Sequence, residues 1–474
     1  MNSISVKQIC DITGGHVLSD GMKLTAADAC NVIVSSVVTN SKEGGEGALF
    51  VPLIGEHTDA HDYIPDAYER GSRVCFTSRE KRLPGTSDMV YIKVDDTKKA
   101  LQDLGIYYRN MFGGTVFGIT GSVGKTTTKE MVAQTLSASY NVLKTSGNKN
   151  SQIGVPLMML ELTNDKEYAV IELGMSDFGE MARLAQIAKP TCGLITNIGV
   201  SHIGNLGSKE NIRSEKLRIT DSFPAEGGVL FVNGEDEMLK DVGSLLPAGK
   251  KIEIKTFGLT DTCDYYAENI RTAGEYSDFT FVDRSTGEKE QVTLPVIGNH
   301  NILDAVAAIG VAKSLGIEPA KSKRMMEVYR PMNMRGHIEN VGDVVLIDDT
   351  YNASPDSMKS GLDMVEGIAK TGKKIVVLAD VLELGAFSKD IHTEIGTYAA
   401  TKNIDKLICI GTEAIYIAEG ARAAGAGFEI KTYPTNDGVF EEQLDGLTRG
   451  DVVYMKGSRG MHLDLLAERL RNRK

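Results

Sequence analysis

The stretch Thr115–Glu130, TVFGITGSVGKTTTKE, constrains this chain more than any other. An apolar, β-branched run (Val116, Phe117, Ile119) leads into a glycine-punctuated turn and Lys125-Thr126. A helical pattern follows, with Val132 and Leu136 four apart and Met131 beside them. Strand, glycine turn, Gly-Lys-Thr and helix together describe a phosphate-binding loop. Small residues let backbone N–H groups wrap a phosphate, and the helix start adds a favourable dipole. In such a loop Lys125 reaches the β/γ-phosphates and Thr126 holds Mg²⁺. The strict pattern asks for glycine five residues before Gly124, where this chain has Ile119, with glycines at 118 and 121 instead. A glycine-rich turn alone is more often structural. Gly-Lys-Thr at a strand-to-helix junction is what points to a nucleotide.

Composition narrows the rest. A chain of 474 residues predicts about three domains of ordinary size. Its 42% hydrophobic and 24% charged residues are those of a soluble globular protein. Acidic residues number 64 against 52 basic, a net charge of −12, which argues against a broad basic surface for nucleic acid but allows a local basic pocket. No apolar run approaches the ~20 residues of a membrane helix. The N-terminus, MNSISVKQICDITGG, lacks the basic flank and apolar core of a signal peptide. Six scattered cysteines without metal spacing read as buried, reduced thiols, so a cytoplasmic protein is expected.

Taken in order, residues 1–97 read as a small mixed domain. Ser5–Ile12 suggests a short helix and Asn31–Thr39 a strand. His57 and His61 flank Asp59 in a polar, loop-like stretch, and solvated or supporting histidines are expected there rather than a metal site. Residues 98–330 carry the nucleotide domain. The loop TSGNKNSQIGVP brings amide and ammonium groups near the phosphates, and the apolar runs Tyr168–Leu173 and Gly193–Ile198 predict strands of a mainly parallel sheet. Glu172, at the exit of one such strand, is placed either to hold Mg²⁺ or to serve as a capping or ion-paired carboxylate. Alternation of Val292, Leu294 and Val296 with polar neighbours predicts a small antiparallel appendage. Residues 331–474 repeat strand and helix as a doubly wound α/β domain, without a phosphate loop, with polar groups at its strand ends: Asp348, Asp349, Asp380 and Lys456–Arg459. Asp348 and Asp349 are adjacent on one strand and so point to opposite faces, which excludes a catalytic carboxylate pair.

Across all three domains the chain resembles the Mur ligase superfamily of ATP-dependent amide-forming enzymes. GITGSVGKTTTKE resembles its phosphate loop, VIELGMSDFGEM its Mg²⁺-holding strand end, and SHIGNLGSKENIRSEKL its His and lysine segment. GNHNILDAVAA resembles the adenine-side motif, and RGH with IDDTYNASPDSM the ATP-contacting start of the C-terminal domain. YNASPDSM, LADVLELG and MKGSRG are most similar to the branch that adds D-alanyl-D-alanine. Three positions depart: Val123 and Asp304 stand where the family commonly has Asn, and Asn40-Ser41-Lys42 where Asp-Ser-Arg is usual. Lys42 offers a phosphate a point charge without a guanidinium fork.

The resemblance implies an α/β protein of three domains. These are a small mixed α/β domain for the UDP substrate (1–97), a central phosphate-loop domain with a mainly parallel sheet (98–330), and a Rossmann-like doubly wound C-terminal domain (331–474). It implies that ATP phosphorylates a peptide carboxylate and that an amine attacks the acyl phosphate. UDP-N-acetylmuramoyl-tripeptide and D-alanyl-D-alanine are the implied partners, in peptidoglycan precursor synthesis by a monomer. Gly121, Ser122, Gly124, Lys125, Thr126, Thr127, Asn301, Arg335 and Asp349 are its implied ATP contacts. Thr126, Glu172, His202 and Lys216 are its implied supports for two Mg²⁺ ions, with Lys125, Lys216, His202 and Arg335 catalytic. Taken alone, His202 in a Gly-rich loop suits capping as well as ligation. Lys216 shares a helix face with Ile212 and Ile219, and by itself reads equally as a lysine snorkelling to solvent. The resemblance implies instead that CO₂ converts it to a carbamate. Two other readings stay open: another ligase of the superfamily (tripeptide-forming, or like folylpolyglutamate synthase), and a nucleotide-binding regulator that has lost its chemistry.

Overall fold

The computed structural model describes residues 1–273, 276–368 and 371–473. Three large sheets, with a separate two-stranded pair, organise these residues. The N-terminal one has five strands in the order His16–Val17, Val90–Lys93, Val74–Thr77, Ala48–Phe50, Ser36–Val38, parallel except at its first pair. The helix Val6–Thr13 packs Val6 and Ile9 into this domain's core and starts with a reciprocal Ser5/Gln8 capping box. The predicted strand Asn31–Thr39 is in fact two. Ile33–Val34 pairs with Ile4–Ser5, whereas Ser36–Val38 joins the five-stranded sheet. The break has a local cause: the N–H groups of Ser35 and Ser36 both reach the Gly47 carbonyl, at 2.8 and 3.2 Å, which turns the chain between them. Of the two roles expected for the histidines here, solvated or supporting, His61 takes the supporting one. It is fully buried, with Nδ1 2.6 Å from Asp59 Oδ1 and Nε2 accepting from the Ser78 N–H at 3.0 Å.

The central sheet has nine strands. Val142–Lys144, Tyr168–Glu172, Thr115–Thr120, Cys192–Ile195, Gly228–Asn233, Ile252–Gly258 and Tyr265–Ala273 run parallel. Tyr276–Asp283 and Glu288–Leu294 extend its edge antiparallel, which is the predicted appendage. Helices cover both faces, so the inner strands are buried on both sides and read as continuous apolar runs. From Thr115–Thr120 the chain goes first to the edge, returns to one neighbouring strand, and only then crosses to the other. Ligands of open α/β sheets sit at such a reversal of strand order. The helix Thr97–Met111 belongs to two cores. Its Ala100, Leu101, Leu104 and Tyr108 pack among N-terminal residues, while Arg109 donates to the carbonyls of Ala188 and Lys189 in the central domain.

The C-terminal sheet runs His337–Val341, Val344–Asp348, Val452–Lys456, Lys374–Ala379, Lys406–Ile410, Glu429–Tyr433, with only the first pair antiparallel. Asp348 and Asp349 part as expected. Asp348 is fully buried against Arg471, and Asp349 turns to Lys456. Among the described residues no helix is long and apolar enough to cross a membrane. The cysteines are free, though only Cys75, Cys263 and Cys409 are buried.

Asp380 has a structural task. Its carboxylate accepts the N–H groups of Thr412, Glu413 and Ala414, pinning the turn after Lys406–Ile410. A methyl on Gly411 would lie 2.2 Å from Asp380 Oδ1, so only glycine admits this approach. Asp380→Ala leaves three N–H groups without their acceptor. We expect a loss of about 3 kcal/mol, since buried hydrogen bonds to charged groups are each worth ~1.5–3 kcal/mol and water replaces part of the loss. Calorimetry should show a melting temperature lower by several degrees with nucleotide affinity unchanged.

Candidate active site

The phosphate loop is held from below by one side chain. Asn197 Oδ1 accepts the N–H groups of Ser122 (3.0 Å) and Val123 (2.9 Å), and the Gly199 N–H donates to Ser122 Oγ at 2.8 Å. Gly121 must be glycine, because a methyl there would fall 1.8 Å from Thr196 Oγ1 at a φ of +149°. Gly124, at φ +84°, turns the chain into the helix Lys125–Leu136. Loop N–H groups at 122 and 123 are therefore committed inward. The anion-facing donors left are those of the helix's first turn, whose N–H groups have no partner within the helix.

Two lysines converge beneath this turn. Lys125 Nζ donates to the carbonyls of Gly121 (2.8 Å) and Ser122 (3.1 Å), and Lys216 Nζ donates to the same Gly121 carbonyl at 2.9 Å. Lys216 is 1% exposed. It is thus not snorkelling: its helix, Lys209–Leu217, turns it into the protein. Burial first, and the Lys125 charge second, drive its pKa far below the ordinary lysine value, which favours the neutral amine. Burial also lowers Lys125, opposed by Glu172.

Glu172 leaves the strand Tyr168–Glu172 in register with Ile119, at the mouth of the loop. Thr126 Oγ1 donates to one of its oxygens at 3.0 Å and Asn150 Nδ2 to the other at 2.8 Å. Lys129, fully buried, anchors on the Thr145 carbonyl at 2.7 Å and lies 4.0 Å from Glu172. A carboxylate and a hydroxyl side by side at a phosphate loop are hard oxygen ligands suited to Mg²⁺, which takes one or two carboxylates and completes its shell with phosphate and water. One carboxylate and one hydroxyl are a donor set that fits that ion.

The C-terminal domain closes the other side. A cleft of about 680 Å³ is lined by Ser122, Gly124, Lys125, Thr126, Thr127, Glu172, His202, Asn301, Arg335 and Asp349 together. Ten of the twelve residues expected from the sequence thus share one cavity, and the other two, Gly121 and Lys216, lie directly under it. Lys42 is exposed on the N-terminal domain and does not line it. Arg335 stacks on Tyr351, its guanidinium carbon 4.0 Å from the ring centre. Asp349 is held by Lys456 Nζ at 2.6 Å and the Tyr454 hydroxyl at 3.0 Å. Asn301 Nδ2 donates to the Ile297 carbonyl at 2.7 Å.

The chain is similar to known proteins over nearly its whole length. The Mur ligase middle domain matches residues 119–312, and the Mur ligase glutamate ligase domain residues 334–459. The UDP-N-acetylmuramoyl-tripeptide–D-alanyl-D-alanine ligase of Bacillus subtilis is 33% identical over 467 residues, covering 98% of each chain. The chain belongs to the Mur ligase family. The Escherichia coli ligase of the same description is 31% identical over 91% of each chain. Among solved structures, MurF from Acinetobacter baumannii superposes with a TM-score of 0.88 at 28% identity, covering 100% of this chain and 99% of that one. MurF from Thermotoga maritima, solved with ADP, gives 0.80 at 26% identity, covering 93% and 98%.

Within this Mur ligase, sequence reasoning missed the supporting residues. Asn197, Glu383 and Tyr351 lie in segments already singled out, but their supporting contacts had no local signal, because each acts on a partner brought close only by the sheets. His202, with a left-handed backbone (φ 64°), sets Nδ1 2.5 Å from Glu383 Oε2, a contact that holds the Glu383 carboxyl below its usual range. Asp304 accepts the Thr128 hydroxyl at 2.6 Å, and burial pushes its pKa up to about 7. In its protonated form the acid offers an oxygen and an O–H much as an amide offers an oxygen and an N–H, so this departure keeps the hydrogen-bonding character of Asn in that form.

The central and C-terminal domains also touch where the Gly204 N–H donates to the Glu383 carbonyl at 3.2 Å. A methyl on Gly204 would come within 2.7 Å of that oxygen and 2.9 Å of the Gly385 nitrogen. Gly204→Ala should therefore hold the two halves of the cleft apart. We expect turnover to fall by about 10²-fold, as for misplacements near 1 Å. Small-angle scattering should show a larger radius of gyration at an unchanged melting temperature; wild-type turnover would mean that this contact is not needed for closure.

Proposed function

We propose that this chain joins D-alanyl-D-alanine to UDP-N-acetylmuramoyl-tripeptide, cleaving ATP to ADP and phosphate through an acyl phosphate. The observation that carries the reading is the single cleft in which a phosphate loop, a Thr126–Glu172 oxygen pair and the C-terminal Arg335, Asp349 and Lys456 face one another. The names of its relatives supply the two substrates. Residues 1–97 would bind the UDP end, 98–330 carry the phosphoryl chemistry, and 331–474 bring the amine. A monomer acting in the cytoplasm is part of the same proposal.

The first step brings two anions together, so charge cancellation and alignment dominate it. Lys125 neutralises the β/γ-phosphates, the first-turn N–H groups of Lys125–Leu136 hold phosphate oxygens, and Arg335 approaches from the other domain with its plane fixed by Tyr351. Asp349 takes the ribose and Asn301 the adenine. Thr126 and Glu172 would hold one Mg²⁺, and His202 with carbamylated Lys216 a second; bound there, the ions screen the negative charge that gathers as the phosphoryl group moves. Lys216 suits that modification because only a neutral amine attacks CO₂: its nitrogen pair forms the N–C bond and its proton leaves, giving an anionic oxygen ligand on a long arm.

Phosphate release, assayed with a panel of UDP-muramoyl peptides and amines, should exceed background only with the tripeptide and D-alanyl-D-alanine together. A preference for glutamate or an amino acid in place of the dipeptide would favour another branch of the family. Lys216→Ala should be nearly inactive and partly restored by short carboxylates such as acetate. Lys216→Arg should stay inactive, since a guanidinium supplies a cation but cannot form a carbamate; an active arginine variant would show that a cation suffices.

A further inference from the structure

Six carboxylates line the cleft: Glu172, Glu180, Asp304, Asp349, Asp356 and Glu383. Five are committed. Glu172 binds Thr126 and Asn150, and Glu180 accepts the Ser176 and Asp177 N–H groups. Asp304 takes the Thr128 hydroxyl, Asp349 pairs with Lys456, and Glu383 with His202. Among the described residues, Asp356 is the one carboxylate of this cleft without a hydrogen-bond or ion-pair partner. It stands in the first turn of the helix Pro355–Gly367 in the C-terminal domain, yet it reaches across to the phosphate loop. A single methyl placed on Gly199 would touch both Asp356 Oδ2, at 2.2 Å, and Ser122 Cβ, at 3.3 Å. Ser122 in turn supplies a carbonyl to Lys125.

A reaction of this class needs such a group. The dipeptide's amine is an ammonium ion near neutral pH, as α-amino groups have pKa ~8, and an ammonium has no electron pair to attack with. Building on the ligase function proposed above, we propose that Asp356 receives the incoming ammonium group and takes its proton. One proton passes from nitrogen to an Asp356 oxygen. The freed pair forms the C–N bond at the acyl phosphate carbon, and the C–O bond to phosphate breaks, its electron pair leaving with phosphate. The second proton of the nitrogen goes to the departing phosphate. Burial supports the assignment by raising the proton affinity of Asp356. The charges facing it are Lys209 and Asp236 of the central domain, Lys359 of its own helix and Glu394 of the neighbouring helix Ser388–Ala399. The two lysines oppose that rise and the two carboxylates add to it, and none of the four pairs with it.

The test separates the two half-reactions in Asp356→Asn, which keeps the side chain's volume. Hydroxylamine is largely uncharged at neutral pH and needs no base, so hydroxamate formation from ATP and UDP-muramoyl-tripeptide reports acyl phosphate formation alone. We expect Asp356→Asn to make hydroxamate at the wild-type rate while dipeptide ligation falls by roughly 10²-fold, the usual lower worth of a general base. The deficit should shrink as pH rises and free amine accumulates, a pH profile that a merely structural residue would not alter. Dipeptide ligation within threefold of wild type, or loss of hydroxamate as well, would overturn the proposal; Asp356→Glu, which retains a carboxylate, must recover part of the ligation rate if it is correct. Absence of hydroxamate from the wild-type protein would instead overturn the ligase function itself.

Discussion

Everything in the cleft depends on two lysines sharing one carbonyl. Lys125 and Lys216 approach Gly121 from different helices, and both Nζ atoms lie within 3 Å of its oxygen. Two ammonium ions so placed, with one of them buried, would repel strongly in a medium that screens poorly. The arrangement is stable when Lys216 is neutral. A neutral amine below a phosphate loop contributes little as a cation, and its value lies in being reactive. The same burial that suppresses its charge makes it available for modification, so packing and chemistry have one cause.

Anionic substrates and carboxylates must coexist in this cavity, and the fold ties every cleft carboxylate except Asp356 to a partner of its own. Glu172 is tied by Thr126, Asn150 and nearby Lys129; Asp349 by Lys456 and Tyr454; Glu383 by His202. The partners come partly from the domain opposite, as with His202 and Glu383. Domain approach and charge balance are therefore coupled, and a cleft opened at Gly204 would also release an unpaired charge.

The departures from the family pattern have local accounts of unequal weight. Val123 sits where Asn is usual, but the loop contact it makes uses its backbone, with its N–H on Asn197. Asp304 preserves the hydrogen-bonding pattern of Asn as long as it stays protonated. Lys42 caps nothing and lies exposed, its own N–H held by Asn40 Oδ1 at 3.1 Å; nothing else in the structure explains it.

The sequence by itself determined the strands, the glycine turns and the identity of the phosphate-facing groups, because these rest on local rules. Apolar runs with Gly-Lys-Thr at a junction define a loop over a few residues, and Val292, Leu294 and Val296 announced an antiparallel edge. Local rules erred where bonding from outside the segment intervened: the Gly47 carbonyl split one predicted strand in two. Only the tertiary structure decided which side chains act on which. Asn197 under the loop, Tyr351 under Arg335, Glu383 on His202 and Asp356 beside Gly199 are separated from their partners by up to 181 residues and meet only at sheet ends and across the cleft. The fate of Lys216 shows the difference most sharply. Its helix face was legible from the spacing of Ile212 and Ile219, but whether that face met water or protein depended on the central sheet, and with it whether the amine carried a charge.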